Sequence, residues 1–199
     1  VLSVAVAALA ALACAAAVAV FPGSPDGAGA SGRPRAVPVG SPSGALPGAL
    51  PSDADVPAAL REPIARAARR CPEPEVTPVL LAAMLKAESG FDPQAARPET
   101  GEYGIAMWTP AVFNAWAQDG DLDGRKDYMD PPDAIISMGS YVCWLAQQFK
   151  RRGLTHDLPG LLAAGYRTSD KTVAEARGVP ERVRPHVAKV EQYLAEYSR

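Results

Sequence analysis

At three places in this chain a helix-capping residue and a proline directly precede a stretch of helix-forming, largely apolar sequence: Thr77-Pro78, Thr109-Pro110 and Asp130-Pro131. A Thr or Asp side chain accepts a hydrogen bond from a free first-turn amide, and proline at the first helical position sacrifices no intrahelical bond. Each pair therefore starts a helix. Gly90 stops the first and Gly153 ends the third. The middle helix is short and carries Val112, Phe113 and Trp116; in the third, Ile135, Met138, Val142, Leu145 and Phe149 recur at three- and four-residue spacing. Asp157 is expected to cap a helix holding Leu161 and Leu162, and Asp170 another that ends near Gly178. Val183, Val187, Val190, Leu194 and Tyr197 mark a last amphipathic helix, with Pro185 near its start. No stretch alternates with period two over strand length and no internal repeat is visible. The expected fold is all-α, or α+β with very little sheet.

The helical region has a sharp N-terminal limit. Residues 1–21 form an apolar run whose only polar side chain is Ser3, and ten of the 21 are Ala. About 20 apolar residues suffice to cross a bilayer, but alanine contributes little transfer energy, so a signal peptide is expected over a membrane anchor. Ala17-Val18-Ala19 fits a small-x-small cleavage site, and Ala11-Leu12-Ala13-Cys14 weakly matches a lipoprotein box. Residues 22–56 hold seven Pro and seven Gly among 35 positions, against five charges. Such a segment has too little apolar surface to offset the entropy of ordering, and it is expected to be a disordered linker. The functional domain is then 57–199.

Charge and cysteines narrow the partners. With 20 Lys+Arg against 22 Asp+Glu the net charge is −2, which argues against a polyanion partner, and 7% aromatic residues offer no stacking platform for nucleic-acid strands. Residues 57–149 carry 8 basic and 13 acidic side chains (net −5), and 150–199 carry 10 and 6 (net +4). Contact with a membrane is expected only through an uncleaved N-terminal segment, and the domain is expected to be a monomer. Cys14 would leave with a signal, so Cys71 and Cys143 remain as a pair. In an oxidising compartment they would close a loop as a disulfide; otherwise they are two separate buried thiols. There is no CxxC, and His156 and His186 are too isolated to suggest zinc. Nothing calls for an organic cofactor.

Glu88 is the candidate for chemistry. It follows Leu81, Met84 and Leu85 by seven, four and three residues, so it shares their apolar face in the helix begun at Pro78. Desolvation and the negative end of the helix dipole both disfavour its ionised form, and a carboxylic acid kept protonated near neutrality is what general-acid cleavage of a glycosidic bond needs. Periodicity alone leaves open a solvent-facing Glu at a frayed helix end.

The surrounding motifs favour the chemical reading. Glu88-Ser89-Gly90-Phe91-Asp92-Pro93, then Gly104-Ile105-Ala106-Met107-Trp108-Thr109-Pro110, then Ala164-Gly165-Tyr166 occur in this order. Together they resemble the bacterial lytic transglycosylases with a lysozyme-like fold, relatives of goose-type lysozyme, from about Ala67 to the C-terminus and including both cysteines. The resemblance implies an exported enzyme acting on peptidoglycan glycan strands at the β-1,4 bond between N-acetylmuramic acid and N-acetylglucosamine. One Glu protonates the leaving oxygen and then takes the proton of the muramyl C6 hydroxyl, which closes to a 1,6-anhydro ring without the second carboxylate of ordinary glycosidases. By match Glu88 is the acid/base, Ser89 its helper and Tyr166 a hydroxyl facing the cleft. Members of that family usually carry Gln where Met107 stands and Asn where Arg167 stands, and the loop before Gly104, with Glu99 and Glu102, is one residue longer. These departures support two alternatives: a weak or inactive peptidoglycan-binding module, or a hydrolytic muramidase using Asp92, Glu99 or Glu102 as second carboxylate.

A second constellation is acidic. Asp119, Asp121, Asp123, Asp127 and Asp130 occupy positions 1, 3, 5, 9 and 12 of a loop with Gly124 at position 6, the pattern of an EF-hand calcium loop. Oxygen-only ligands suit Ca²⁺. Lys126 at position 8 and the short Asp130 at position 12 weaken the match, and the alternative is an acidic interhelical loop whose Asp130 caps the next helix.

Overall fold

The structure, a computed structural model, describes residues 48–199. In chain order it contains α1 (Ala58–Arg69), α2 (Pro78–Ser89), β1 (Ala96–Arg97), β2 (Glu102–Tyr103), α3 (Pro110–Trp116), α4 (Pro131–Arg151), α5 (Leu158–Arg167), α6 (Asp170–Ala176), a 3-10 turn at Glu181–Val183 and α7 (Arg184–Tyr197). The three cap–proline pairs open α2, α3 and α4. The Thr77 and Thr109 hydroxyls accept from the Leu80 and Val112 amides at 3.1 and 3.4 Å, and the Asp130 carboxylate accepts from the Asp133 amide at 3.3 Å.

Helix α2 lies in the core. Every residue from Pro78 to Leu85 is buried, so its apolar surface is the whole circumference rather than one stripe, as befits a core helix. It packs against α1 and α7, while α4 packs against α1, α3 and α5. Gly90 ends α2 at φ 67°, a conformation only glycine adopts without a Cβ penalty, and its amide returns to the Lys86 carbonyl. Cys71, just beyond α1, is disulfide-bonded to Cys143 on α4, with the Cα atoms 5.6 Å apart. Closing a loop of this separation stabilises the fold by about 4 kcal/mol on the chain-entropy account.

Several sequence expectations change here. Residues 48–56, assigned to the linker, are built onto the domain: the Val79 amide donates to the Gly48 carbonyl at 3.2 Å, Val56 is buried, and the Arg61 guanidinium donates to the carbonyls of Pro51, Ser52, Ala54 and Val56. A Pro/Gly-rich composition has little side-chain surface to bury, but its carbonyls can still be satisfied by one long cation. The rest of that linker and the apolar segment 1–21 lie outside the described residues. Helix α1 gave no sequence signal because Pro63 sits inside it; buried Leu60, Ile64, Ala67 and Ala68 hold it in place. Asp157 precedes α5 in a left-handed conformation and makes no side-chain cap, and α6 is capped by Ser169 rather than Asp170. The two-residue strands pair antiparallel, Ala96 with Tyr103 and Arg97 with Glu102, too briefly for alternation to show. Among the described residues no helix is long and apolar enough to cross a membrane.

Candidate active site

The last turn of α2 delivers Glu88 into the interior, where its side chain has no exposed surface. Its two oxygens meet different neighbours. Oε2 accepts from Arg167 Nη1, at the end of α5, at 3.2 Å, and lies 3.8 Å from Arg97 Nη1 on the hairpin. Oε1 lies 3.3 Å from Nε2 of His186 on α7. Arg97 also donates through Nη2 to the Glu88 carbonyl at 2.8 Å, which satisfies one of the orphan acceptors at the end of α2.

Glu102 completes the cluster. It accepts from Arg97 at 3.0 Å, from Arg167 at 2.9 Å and from the Thr100 hydroxyl at 3.1 Å. The cluster thus pairs two carboxylates with two guanidiniums, and the carboxylates differ. Complete burial pushes the Glu88 carboxyl up to about 7, with Glu102 adding to the rise, against the pull of Arg167 and Arg97. Glu102 also feels burial, but the hydrogen bonds from Arg97 and Arg167 outweigh it and hold the carboxyl below its usual range. Burial, together with the positive charges of Arg167, Arg97 and Lys189, lowers His186 to about 4, so the imidazole is neutral near pH 7.

The loop between β2 and α3 forms the floor. The Tyr103 and Trp108 amides and carbonyls exchange two hydrogen bonds of 2.9 Å, turning the chain over Gly104 at φ 73° and Met107 at φ 49°. A Cβ at Gly104 would collide with the Tyr128 carbonyl, so the close approach requires glycine. The Ser89 hydroxyl donates to the Ile105 carbonyl at 2.6 Å, and the Tyr166 hydroxyl donates to the Ala106 carbonyl at 2.7 Å. The hydroxyls of Ser89, expected to help Glu88, and of Tyr166, expected to face the cleft, are therefore both bonded to this turn. Tyr166 also packs edge-on against Trp108, whose Nε1 donates to the Ala134 carbonyl at 3.1 Å.

Beside the floor lies an open cavity of about 160 Å³ whose lining includes Glu102, Met107, Val112, Tyr141, Tyr166 and Arg167. Of the residues expected from sequence, Met107, Tyr166 and Arg167 face it, Glu88 lies directly behind Arg167, and Ser89 is bonded into its floor. Sequence reasoning missed Arg97 and His186. The available signal for His186 was its position three and four residues from Val183 and Val190, on the apolar face of α7.

The acidic loop is organised separately. Asp119 accepts from the Leu122 and Gly124 amides, Asp121 from Asp123, Asp123 from Arg125 and Asp127 from Met129. Asp130 caps α4, and burial together with nearby Asp133, Asp121 and Asp123 raises its pKa. The carboxylates that converge, each offering an oxygen within 4.8 Å of the others, are Asp119, Asp121 and buried Asp133, not the EF-hand set. Asp133, absent from the sequence reading, accepts from the Gly120 amide at 2.5 Å and from the Asp127 amide at 2.8 Å.

The domain is a mostly helical, lysozyme-like fold with a buried acid beside an open cavity. The family model of the transglycosylase SLT domain matches residues 67–180, more than half of the chain, and the chain belongs to that family. Its function is of the lytic-transglycosylase, peptidoglycan-degrading type. Neither a curated protein nor a solved structure matches the chain.

Proposed function

We propose that the domain is an exported lytic transglycosylase that cleaves the MurNAc-β-1,4-GlcNAc bond of peptidoglycan, with Glu88 as the single acid/base. The supporting observation is a carboxyl with pKa about 7 at the end of the core helix, one side chain behind an open cavity of about 160 Å³. Protonated Glu88 gives its proton to the glycosidic oxygen as the C1–O bond breaks. The resulting carboxylate takes the proton of the muramyl C6 hydroxyl while O6 bonds to C1, so the acid is regenerated and no water is consumed. Arg167 stands between Glu88 and the cavity, and substrate must draw it aside. A lactyl or peptide carboxylate on the muramyl residue is a natural partner for the released guanidinium.

The hydrolytic alternative is weaker. It needs a second carboxylate free to activate water; both Glu102 oxygens are taken by arginines and Thr100 and Asp92 accepts from the Gln94 amide, which leaves the exposed Glu99 as its remaining candidate. The binding-module alternative has one specific observation in its favour, the lack of any exposed surface on the Glu88 side chain. Mass spectrometry of digested peptidoglycan separates the three readings. Anhydro-muramyl ends support transglycosylation, reducing ends show hydrolysis, and binding without release shows a module. In the same reading calcium is a structural ion of the acidic loop, held by Asp119, Asp121 and Asp133, with no part in the reaction.

A further inference from the structure

His186 stands outside the segment that matches the family, on the helix that closes the domain, yet it supplies the nearest group to one oxygen of Glu88. Glu88 Oε1 and His186 Nε2 are both buried and lie 3.3 Å apart, and neither has a hydrogen-bond partner. Two orphaned buried polar atoms at this separation imply a proton between them, since leaving both unpaired would cost the desolvation of each. Charged and polar groups surround the pair. Arg167 and Tyr166 come from α5, Arg97 and Glu102 from the hairpin, Lys189 from α7 itself and Ser89 from α2. The hydroxyls of Tyr166 and Ser89 are bonded to backbone carbonyls. Arg97 and Arg167 can only donate, and both lie on the Oε2 side.

From this geometry we infer that His186 is the positioning residue of Glu88: its Nε2–H donates to Oε1 and holds the carboxyl with Oε2 toward Arg167 and the cavity. The inference rests on the reading of Glu88 as the acid/base. A transferable proton is useful only on the oxygen that can reach a sugar. A proton held on Oε1 would point at α7, away from the cavity, whereas a donor at Oε1 leaves Oε2 to give the proton and take it back. Throughout the cycle His186 keeps its proton, and only Glu88 changes state. The two guanidiniums ensure this, because they oppose any further positive charge on the imidazole.

The test is the carboxyl titration of Glu88 in the full chain with ¹³C-labelled glutamate, the signal assigned by its loss in Glu88→Gln. Replacing the donor with an apolar ring in His186→Phe should raise the midpoint by about one pH unit, since the charged form loses a hydrogen bond. His186→Gln, which keeps an N–H, should restore it. In digestion of peptidoglycan, His186→Phe should lower kcat about tenfold with KM unchanged, the loss expected for one hydrogen bond to a charged group. A midpoint that stays put or falls in His186→Phe overturns the inference: the first makes His186 a packing residue, the second makes it an acceptor of the acid proton. Wild-type protein that releases no anhydro-muramyl ends sinks the transglycosylase reading, while a raised midpoint restored by Gln would still establish the Glu88–His186 bond.

Discussion

Two groups of carboxylates, Glu88 with Glu102 and the aspartates of residues 119–133, lie in opposite surroundings. Glu88 is enclosed, and its counter-groups are side chains delivered by three other elements: Arg97 from the hairpin, Arg167 from α5 and His186 from α7. Apart from Asp133, the loop aspartates are at most partly buried, and the partners of most are backbone amides two to five residues away. Local amides settle the backbone of the loop. Burial against long-range partners changes proton affinity itself, and that is what acid/base chemistry draws upon. The number of acids in a stretch of sequence therefore says less than which of them the fold desolvates.

The sharpest test of this contrast is removal of the proton. Glu88→Gln preserves shape and is expected to lower turnover at least about a hundredfold, with the fold intact by circular dichroism. Removing a loop acid such as Asp123→Asn should leave the rate within about twofold, as for a surface substitution remote from the site. Anhydro-muropeptide release by Glu88→Gln at the wild-type rate would break the assignment.

Stability against pH carries the next largest effect. Glu88 has a folded pKa of about 7, above its ordinary 4.5. The native state therefore holds a proton that the unfolded chain has lost between those values, and this contribution falls as pH rises through the window. His186, lowered from 6.5 to about 4, has the opposite sign: the unfolded chain binds the extra proton, so its contribution rises over nearly the same window. Each shift corresponds to roughly 3 kcal/mol, and in the wild type the two offset one another. Chemical denaturation from pH 4 to 7 should give a nearly flat profile for the wild type. Glu88→Gln should become more stable as pH rises, and His186→Gln less stable. Parallel profiles for all three proteins would mean that the pair is not desolvated in solution.

The same contrast separates what the sequence made legible from what it did not. The N-caps of α2, α3 and α4 act through residues one to three positions away, so Thr77-Pro78, Thr109-Pro110 and Asp130-Pro131 could be read directly. Glu88 was legible through its helical neighbours Leu81, Met84 and Leu85. Its partners were not, because Arg97 and His186 reach it from 9 and 98 residues further along the chain, and no local spacing encodes such pairings. Asp133 was hidden for a related reason. It lies outside the twelve-residue calcium pattern, and only the turn of α4 back over Gly120 makes it part of the loop. Residues 48–56 were misread because Arg61, ten residues beyond Pro51, supplies the order their own side chains lack.

Within the acidic loop, burial should again outweigh charge. Asp133 is buried and receives the Gly120 and Asp127 amides, and the Gly120 carbonyl in turn accepts from Arg66 on α1. Asp133→Ala strands buried donors and is expected to cost about 2 kcal/mol in urea denaturation, in the range for hydrogen bonds to charged groups. Asp123→Asn, exposed and bonded only to the Arg125 amide, should stay within about 0.5 kcal/mol. Equal costs would make net charge, not desolvation, the governing quantity in this loop.

Calcium is the smallest expected effect, and it asks whether the loop can be given the tight partner that Glu88 already has. Asp119, Asp121 and Asp133 bring three oxygens within 4.8 Å of one another, but most are already occupied by amides. An ion would therefore compete with existing hydrogen bonds, and affinity should fall in the extracellular range of about 10⁻⁴–10⁻³ M. At roughly tenfold excess over Kd, RT ln(1+[L]/Kd) is about 1.4 kcal/mol, a rise in Tm of a few degrees for a domain of this size. Thermal melts in millimolar calcium against EDTA measure it, and Asp121→Asn should abolish the difference, because this exposed side chain can change without stranding a buried amide. If the wild type melts identically in both, the loop is held by its amides alone, and the contrast with Glu88 is complete: one set of acids closed by the chain's own backbone, the other by cations brought from across the fold.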